Sequence, residues 1–388
     1  MDYSFDSDFD RRAFSGKWRG AAEGVIPMTV ADMDFPLMPE VVRAVKEAAD
    51  RRDFGYLSMR AEDYAAVQDW IARRTGEVIP AGHLLNTPGV LYTTRCAMYA
   101  LTEPGDKVVI QTPLHTPSIK SASMMGRVPL KNWLIYGDGR YTMDFDHLEA
   151  CFREGAKVLM MCSPNNPTGR VWTQAEMDTV AELANRYDVF IVSDEIHRDI
   201  LWDGNKHISP AGMPALKDRS VSAISTSKTF NMGGFHVGTA IIPNDEIRAK
   251  VREQLNNFGF SCGRPTVVDR DAQTAAYLHG EEWYRQMLSY IEGNFDCALS
   301  YLDGLPVSAV KPEGTFLLWL DIREMKLDNA GLWDLMRNRW KVVGDPGSYY
   351  DTKDYQTYTG MEHHIRLNLA TQRKHVEEAF DRIRRYFR

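Results

Sequence analysis

The 388-residue sequence predicts an α/β fold with a mostly parallel central sheet flanked by helices, together with a smaller α+β domain. Two observations predict it. Short apolar runs alternate with amphipathic stretches between about residues 85 and 245. The runs are also continuously apolar, as expected of strands that are buried on both faces of a sheet. The predicted strands cover residues 107–111, 157–162, 189–193, 221–225 and 239–242.

One crossover helix between two of these strands has clear boundary signals. Thr173 and Glu176 have the spacing of a capping box, in which each side chain accepts a hydrogen bond from the other residue's backbone N–H. Apolar residues then recur at helical spacing at Met177, Val180, Ala181, Ala184 and Tyr187. The pattern predicts a strand–helix–strand unit, and ligands of such sheets bind beyond the carboxyl ends of the strands.

The part of the chain after about residue 290 has the pattern of a smaller α+β domain. Apolar runs at 314–320 and 364–369 predict two strands separated by a helix, and a charged helix ends the chain. We expect residues 46–288 to form a large domain, and residues 1–45 and 289–388 to form the small one. The N-terminal segment is assigned there because it is too short to fold alone.

Composition argues against several classes of partner. The net charge of −7 provides no basic field for nucleic acid or an anionic membrane surface. No apolar run reaches the roughly 18 residues of a membrane span, and the acidic start has no signal-peptide pattern. We therefore expect a cytoplasmic protein without nucleic-acid or membrane partners. The cysteines are scattered singly, which predicts reduced thiols and no metal site, and they are Cys96, Cys151, Cys162, Cys262 and Cys297.

Polar motifs follow two of the predicted strands. Residues 163–169 (SPNNPTG) are explained equally well by an ordinary turn and by a site in which Asn166 aims its amide at a ligand. Residues 193–197 (SDEIH) are typical of a solvated loop, a metal site or a buried carboxylate, although no HExxH spacing supports zinc. A buried Asp194 needs a cationic partner. A protonated pyridine nitrogen would serve, because the carboxylate keeps such a ring an electron sink.

A lysine follows another predicted strand. Lys228 lies in ISTSKTFNMGG, residues 224–234, among small hydroxyl residues and before two glycines. Most lysines are simply exposed, which is the alternative here. In a partly desolvated site, however, lysine shifts toward its neutral, nucleophilic amine. Hydroxyls that hold a phosphate, with glycines that let the backbone approach, suit covalent binding of a phosphorylated carbonyl compound.

Two further signals are weak by themselves. Pro88 and Gly89 precede a helix expected to begin near Val90, and free N–H groups at a helix start bind phosphate. Arg366 lies inside an apolar strand. It forms either a structural ion pair or a two-pronged grip on a carboxylate.

Taken in order, the asparagine, aspartate, lysine and late arginine resemble those of the fold-type I pyridoxal-phosphate enzymes, the aspartate aminotransferase superfamily, over essentially the whole chain. A finer resemblance is to the cystathionine β-lyase (C–S lyase) branch related to the maltose-regulon modulator. It rests on His197 and on residues 30–36 (VADMDFP), 54–56 (FGY), 101–106 (LTEPGD), 164–172 (PNNPTGRVW), 280–283 (GEEW), 314–319 (GTFLLW), 346–348 (PGS) and 366–370 (RLNLA).

The resemblance implies pyridoxal 5'-phosphate as cofactor and roles for matching residues. Lys228 would hold the cofactor as a Schiff base and act as acid and base on the substrate. Asp194 would pair with the pyridine nitrogen, Asn166 and His197 would approach the ring's 3-oxygen, and His115 would stack on the ring.

The same resemblance implies how the cofactor's phosphate is bound. Ser225 and Ser227, with the backbone amides of Val90 and Leu91, would hold it. Tyr56 from a second subunit would complete the site, which implies a homodimer as the simplest closed assembly. An amino-acid substrate would contact Arg366 through its α-carboxylate, together with Asn166 and Ala31.

The implied activity is β-elimination from L-cystathionine or a related cysteine S-conjugate to a thiol, pyruvate and ammonia. An aminotransferase acting on an L-amino acid and a 2-oxo acid would use the same residues, and the branch also includes a regulator that binds a transcription activator. Two departures leave room for altered chemistry. His236 stands where the superfamily usually has a phosphate-binding arginine, and His115 stands where it usually has an aromatic ring.

Overall fold

The computed structural model describes residues 2–7, 11–260, 265–350 and 363–388. Its strands are β1 (Ile26–Pro27), β2 (Leu84–Thr87), β3 (Lys107–Thr112), β4 (Val128–Trp133), β5 (Ile135–Gly137), β6 (Arg140–Thr142), β7 (Ala156–Cys162), β8 (Phe190–Asp194), β9 (Ser220–Ile224), β10 (Gly238–Ile241), β11 (Leu317–Asp321), β12 (Val342–Val343), β13 (Asp345–Pro346) and β14 (His364–Asn368). Its α-helices are α1 (Gly16–Arg19), α2 (Pro39–Asp50), α3 (Ala61–Thr75), α4 (Val90–Leu101), α5 (Thr116–Met124), α6 (Phe145–Arg153), α7 (Gln174–Arg186), α8 (Thr226–Thr229), α9 (Asp245–Asn257), α10 (Val267–His279), α11 (Glu281–Leu302), α12 (Asn329–Asp334) and α13 (Arg373–Tyr386).

A seven-stranded sheet in the order β2-β10-β9-β8-β7-β3-β4 forms the centre of the molecule. β10 runs opposite to the other six strands of this sheet, so the predicted mostly parallel α/β class is confirmed. All five predicted strands are present. No apolar run predicts β4, because its sequence VPLKNW contains a lysine and an asparagine and several of its positions are only partly buried.

The inner strands are buried on both faces, as their continuous apolar sequence predicts. Along β7, Leu159 and Met161 pack into one apolar cluster with residues of α6 and α7. Their neighbours Val158 and Met160 pack into another cluster with residues of α4 and α9. Helices therefore cover both faces of the sheet. The edge formed by the carboxyl ends of the parallel strands stays accessible to ligands.

The capping box at the start of α7 is confirmed. The Thr173 hydroxyl accepts a hydrogen bond from the backbone N–H of Glu176 at 3.3 Å, and the Glu176 carboxylate accepts one from the N–H of Thr173 at 2.8 Å. The helix runs on to Arg186 and buries its apolar stripe against the sheet. It thereby connects β7 to β8, the two strands that carry the first pair of polar motifs.

A second sheet lies in the C-terminal part, with strand order β11-β14-β13. The N-terminal segment packs with this part, because β1 pairs in parallel with β12. One apolar cluster extends from Phe5 to Ile383 and joins both ends of the chain. The domain division at residues 45/46 and 288/289 stays a prediction.

The described cysteines are free thiols. Cys96, Cys151 and Cys162 are buried free thiols and Cys297 is a half-buried one, whereas Cys262 lies outside the described residues. Within the described ranges, no helix combines the length and apolar character that crossing a bilayer requires.

Candidate active site

A cavity of about 480 Å³ lies at the carboxyl ends of β7, β8 and β9. Its volume falls within the range of small-molecule sites. Ten of the twelve predicted site residues line it: Ala31, Val90, Leu91, His115, Asn166, Asp194, His197, Ser227, Lys228 and Arg366. The tertiary fold therefore brings together motifs that are spread over more than three hundred positions of sequence. The two predicted residues that do not line the cavity are Ser225 and Tyr56.

Lys228 is presented by a short helical turn that follows β9. Ser225 caps this turn, because its hydroxyl accepts a hydrogen bond from the backbone N–H of Ser227 at 3.0 Å. The Lys228 amine donates a hydrogen bond to the carbonyl oxygen of Ala31. Burial lowers the pKa of Lys228 to about 8, while the carboxylate of Asp32 opposes this shift. The neutral amine is thus accessible at mildly basic pH.

Asp194 is the last residue of β8 and is almost completely buried. One of its carboxylate oxygens accepts a hydrogen bond from the backbone N–H of Ile196 at 3.1 Å. Burial raises the pKa of Asp194 to about 6, although that hydrogen bond and the charge of Lys228 lower it. A cationic group bound in the cavity would stabilise the ionised form of this carboxylate.

Two histidines of the cavity are held neutral. Neither ring nitrogen of the buried His197 has a hydrogen-bond partner among the described residues. The ring packs edge-on against that of Phe316, with 5.5 Å between the ring centroids. Burial lowers the pKa of His197 well below its usual value. Burial and the charge of Arg366 lower the pKa of His115 to about 4. Because buried ring nitrogens are normally hydrogen-bonded, His197 could bind a polar group of a ligand in this cavity.

Arg366 lies on β14 and contacts two other residues that line the cavity. It donates a hydrogen bond to the amide oxygen of Asn166 at 2.9 Å and forms an ion pair with Asp345. Its Nε is buried and has no partner within the described part of the chain. Arg366 and Asn166 were predicted from the sequence, whereas Asp345 was not, although it directly precedes the 346–348 segment that carries part of the resemblance.

The other end of the cavity is formed by the start of α4. Gly89 precedes the helix with φ +138°, a conformation that residues with a side chain rarely adopt, and no side chain caps the helix. The first N–H groups, at Val90 and Leu91, therefore remain available for an anion. Ser225 does not line the cavity itself, but its hydroxyl is hydrogen-bonded to that of Ser227, which does, at 2.7 Å.

His236 also lines this end of the cavity, and its side chain is exposed. Its backbone N–H donates a hydrogen bond to the carboxylate of Asp269 at 3.1 Å. Tyr56, by contrast, is 97% exposed and lies outside the cavity of its own chain. Its role in a neighbouring subunit stays a prediction.

The N-terminal wall of the cavity is held by contacts that the sequence analysis misses. The Asn368 side chain donates hydrogen bonds to the carbonyl oxygens of Val30 and Asp32 at 2.8 and 2.6 Å. Lys17 forms ion pairs with Asp32 and Asp34, each at 3.0 Å. Together they place Ala31 against Lys228. Asn368 could have been found from the sequence, because it lies in the RLNLA segment two residues after Arg366.

Residues 23–383 match the family model "Aminotransferase class I and II". Cystathionine beta-lyase PatB of Bacillus subtilis (strain 168) is 34% identical over 391 residues, which cover 97% of this chain and 99% of the relative. The chain belongs to the aminotransferase class I and II family, and the predicted family is confirmed.

Two further proteins are similar to this chain over nearly its whole length. The crystal structure of cystalysin from Treponema denticola, which contains a pyridoxal 5'-phosphate cofactor, superposes with a TM-score of 0.92 at 28% identity, over 100% of this chain and 99% of that one. Aromatic-amino-acid aminotransferase 2 of Thermococcus litoralis is 25% identical over 370 residues, covering 93% of this chain and 91% of the relative.

Proposed function

We propose that the protein is a pyridoxal-phosphate-dependent carbon–sulfur β-lyase that cleaves L-cystathionine or a related cysteine S-conjugate to a thiol, pyruvate and ammonia. One observation carries the proposal. The Lys228 amine, the Asp194 carboxylate and the Arg366 guanidinium line a single cavity in a chain that is 34% identical to a cystathionine beta-lyase over nearly its whole length.

The residues of the cavity fit pyridoxal 5'-phosphate. The uncapped start of α4 suits its phosphate, and a pyridinium nitrogen would supply a cationic partner for the buried Asp194 carboxylate. The unpartnered ring of His197 offers a hydrogen-bonding group for the ring's 3-oxygen. Lys228 supplies the amine for covalent attachment, and its lowered pKa favours that reaction.

The remaining phosphate contacts are assigned by proximity to the start of α4. Ser227 lines the cavity, and its hydroxyl, which lies 2.7 Å from that of Ser225, would donate its proton to the phosphate instead of to Ser225. His236 would add a polar contact from the solvent side. His115, held neutral by burial, would lie against the face of the ring.

When bound, the cofactor supplies an electron sink for the charge that develops at the substrate Cα. Arg366 binds the substrate α-carboxylate and thereby fixes the orientation of Cα, with Asn166 and Ala31 bordering the same space. Lys228 Nζ would remove the Cα proton and could return it to the departing sulfur. The Cα–H and Cβ–S bonds break, the sulfur leaves as a thiol, and one water is consumed as pyruvate and ammonia form.

The experiment that tests this function follows pyruvate release from L-cystathionine by the reconstituted holoenzyme without any added 2-oxo acid. We expect steady pyruvate formation, and none from a Lys228→Ala variant. An aminotransferase would use the same residues but would return the proton to the cofactor, so it needs a 2-oxo acid to turn over. Activity that depends absolutely on a 2-oxo acid would therefore refute the lyase assignment.

We also propose that the protein acts as a homodimer in which Tyr56 completes the phosphate site of the other subunit. Tyr56 and Phe54 are exposed aromatic residues close together in sequence, at 97% and 61%, and exposed apolar groups of this kind are typical of interfaces. A two-fold dimer is the simplest assembly that gives each site one such tyrosine.

A further inference from the structure

The carboxylate of Asp345 faces the candidate site because of strand pairing. In the antiparallel pair of β13 and β14, Asp345 lies directly opposite Arg366. The two strands are close together, since a Cβ on the preceding Gly344 would lie 2.6 Å from the carbonyl oxygen of Arg366. Asp345 therefore contacts Arg366 by register, and its side chain, 17% exposed, lines the same cavity.

The charged side chains that the described residues place around the cavity are equal in number of each sign. The cations are Lys228 and Arg366, and the anions are Asp194 and Asp345. In the proposed function, Lys228 and Asp194 serve the cofactor. A substrate α-carboxylate that binds Arg366 then shares this guanidinium with Asp345, so that two carboxylates face one cation.

Within the described part of the chain, the carboxylate of Asp345 also accepts a hydrogen bond from the hydroxyl of Tyr350 at 3.3 Å. A neutral hydroxyl compensates a buried negative charge far less than a cation does. A second cation brought by the substrate would restore the balance. In a β-thio-substituted amino acid whose α-carboxylate is held at Arg366, the substituent beyond sulfur is the part that is free to carry it.

We propose that Asp345 is a specificity-determining residue that selects cysteine S-conjugates with a cationic group, such as an ammonium, beyond the sulfur. This inference rests on the proposed function and names its substrate class. A neutral substituent leaves the two carboxylates at Arg366 uncompensated. An anionic substituent adds a third negative charge, which disfavours binding further.

The test compares three cysteine derivatives of similar size that differ in the charge of the substituent. S-(2-aminoethyl)-L-cysteine carries an ammonium, S-propyl-L-cysteine replaces it with a methyl group, and S-(carboxymethyl)-L-cysteine carries a carboxylate. Both kcat/KM for pyruvate release and Kd from titration of the holoenzyme's visible spectrum are measured. The wild-type protein, Asp345→Asn and a matched control, Asp321→Asn, are compared.

Asp321 is a suitable control because it is a partly buried carboxylate in the same three-stranded sheet. It pairs with Arg323 at 2.8 Å and does not line the cavity. Its replacement removes one ion-paired carboxylate from this sheet without changing the charge that faces the site. Thermal unfolding and cofactor content of both variants report whether either substitution disturbs folding.

We expect the wild-type protein to prefer the aminoethyl over the propyl derivative by about tenfold or more in both measurements. Asp345→Asn should remove this preference, lowering kcat/KM for the aminoethyl derivative about 10- to 100-fold and changing that for the propyl derivative by less than about threefold. The same substitution should raise kcat/KM for the carboxymethyl derivative. Asp321→Asn should keep the wild-type order.

A loss that is equal for all three derivatives would overturn the inference, because Asp345 would then only hold Arg366 in place. A wild-type protein without charge preference would overturn it as well. If no derivative or cystathionine released pyruvate, the proposed lyase function would fail. The spectral titration would still decide the charge preference, so the two failures are distinguishable.

Discussion

The side-chain amine of Lys228 donates a hydrogen bond to the backbone carbonyl oxygen of Ala31, 197 positions earlier in the chain. Ala31 is kept there by Asn368, which hydrogen-bonds the carbonyl oxygens on either side of it. Asn368 in turn lies on the same strand as Arg366. The proposed cofactor lysine and substrate arginine are thus connected through the N-terminal segment, which forms one wall of the cavity.

Attachment of the cofactor to Lys228 should depend on pH with a midpoint near 8. The neutral amine is the reactive form, so the attachment rate should rise about tenfold per pH unit below the lowered pKa of about 8 and level off above it. For a lysine with the ordinary pKa of 10.5, the attachment rate would continue to rise above pH 8. Stopped-flow absorbance of apoenzyme mixed with pyridoxal 5'-phosphate measures this rate.

Two variants control that measurement. Lys228→Ala should form no covalent product that borohydride traps, whereas the exposed Lys157→Ala should behave as the wild type does. Trapping at another lysine, located by peptide mass spectrometry, would contradict the assignment of the anchor.

Replacing Asp194 by Asn should stabilise the cofactor-free protein while it impairs activity. Burial raises the pKa of Asp194 from 3.8 to about 6, so the folded protein binds more protons than the unfolded chain between about pH 4 and 6. The free energy of unfolding therefore falls as pH rises through that window. By pH 8 the ionised carboxylate costs as much as about 3 kcal/mol, which Asp194→Asn removes.

Urea unfolding of the apo forms of both proteins at pH 4 and pH 8 measures this difference. The asparagine can still accept the hydrogen bond from the N–H of Ile196, so the comparison isolates the charge. Lyase activity of the variant should drop about 100-fold or more because its ring partner is no longer anionic. A variant less stable than the wild type at pH 8 would contradict the proposed origin of the shift.

Mixed dimers should reveal whether Tyr56 acts across a subunit interface. We expect Tyr56→Ala and Lys228→Ala to be strongly impaired when pure. In a hybrid dimer, one site would combine an intact lysine with the partner's intact tyrosine, and activity should return there. Co-expression with two affinity tags isolates the hybrid for assay. No recovery above that of the pure variants would show that Tyr56 does not serve the neighbouring site.

His236→Arg should slow the loss of the cofactor. His236 lines the phosphate end of the cavity and is exposed, and a permanent guanidinium there would add a charge-assisted contact to the phosphate. We expect about tenfold slower dissociation, measured by capture of released cofactor with an excess of a scavenging apoenzyme. The exposed His279→Arg, far from this cavity, controls for added positive charge and should leave the rate unchanged.

Local sequence was sufficient for the elements whose signals are local. Thr173 and Glu176 form the predicted capping box, and the helix after it has the predicted apolar stripe. The apolar runs became strands because burial on both faces selects such residues. The residues that follow them, Asn166, Asp194 and Lys228, reach one cavity because parallel strands end at the same edge.

Two features of the central sheet had no local signal. The run at 239–242 became β10, which is antiparallel to both neighbours, yet its residues resemble those of its parallel counterparts. Strand direction is decided by where the chain arrives from, which a short apolar run does not encode. The edge strand β4 was missed because Lys131 and Asn132, which are both buried, interrupt its apolar run.

The sequence by itself determined the fold class, the family and the residue types that carry the proposed chemistry, because strand, cap and motif signals act over a few neighbouring positions. Only the tertiary structure decided that Ala31 meets Lys228 and that Asp345 opposes Arg366. Those contacts join distant segments through strand register and packing. Their burial also sets the pKa values of Asp194 and Lys228, since desolvation exists only once the chain has folded around them.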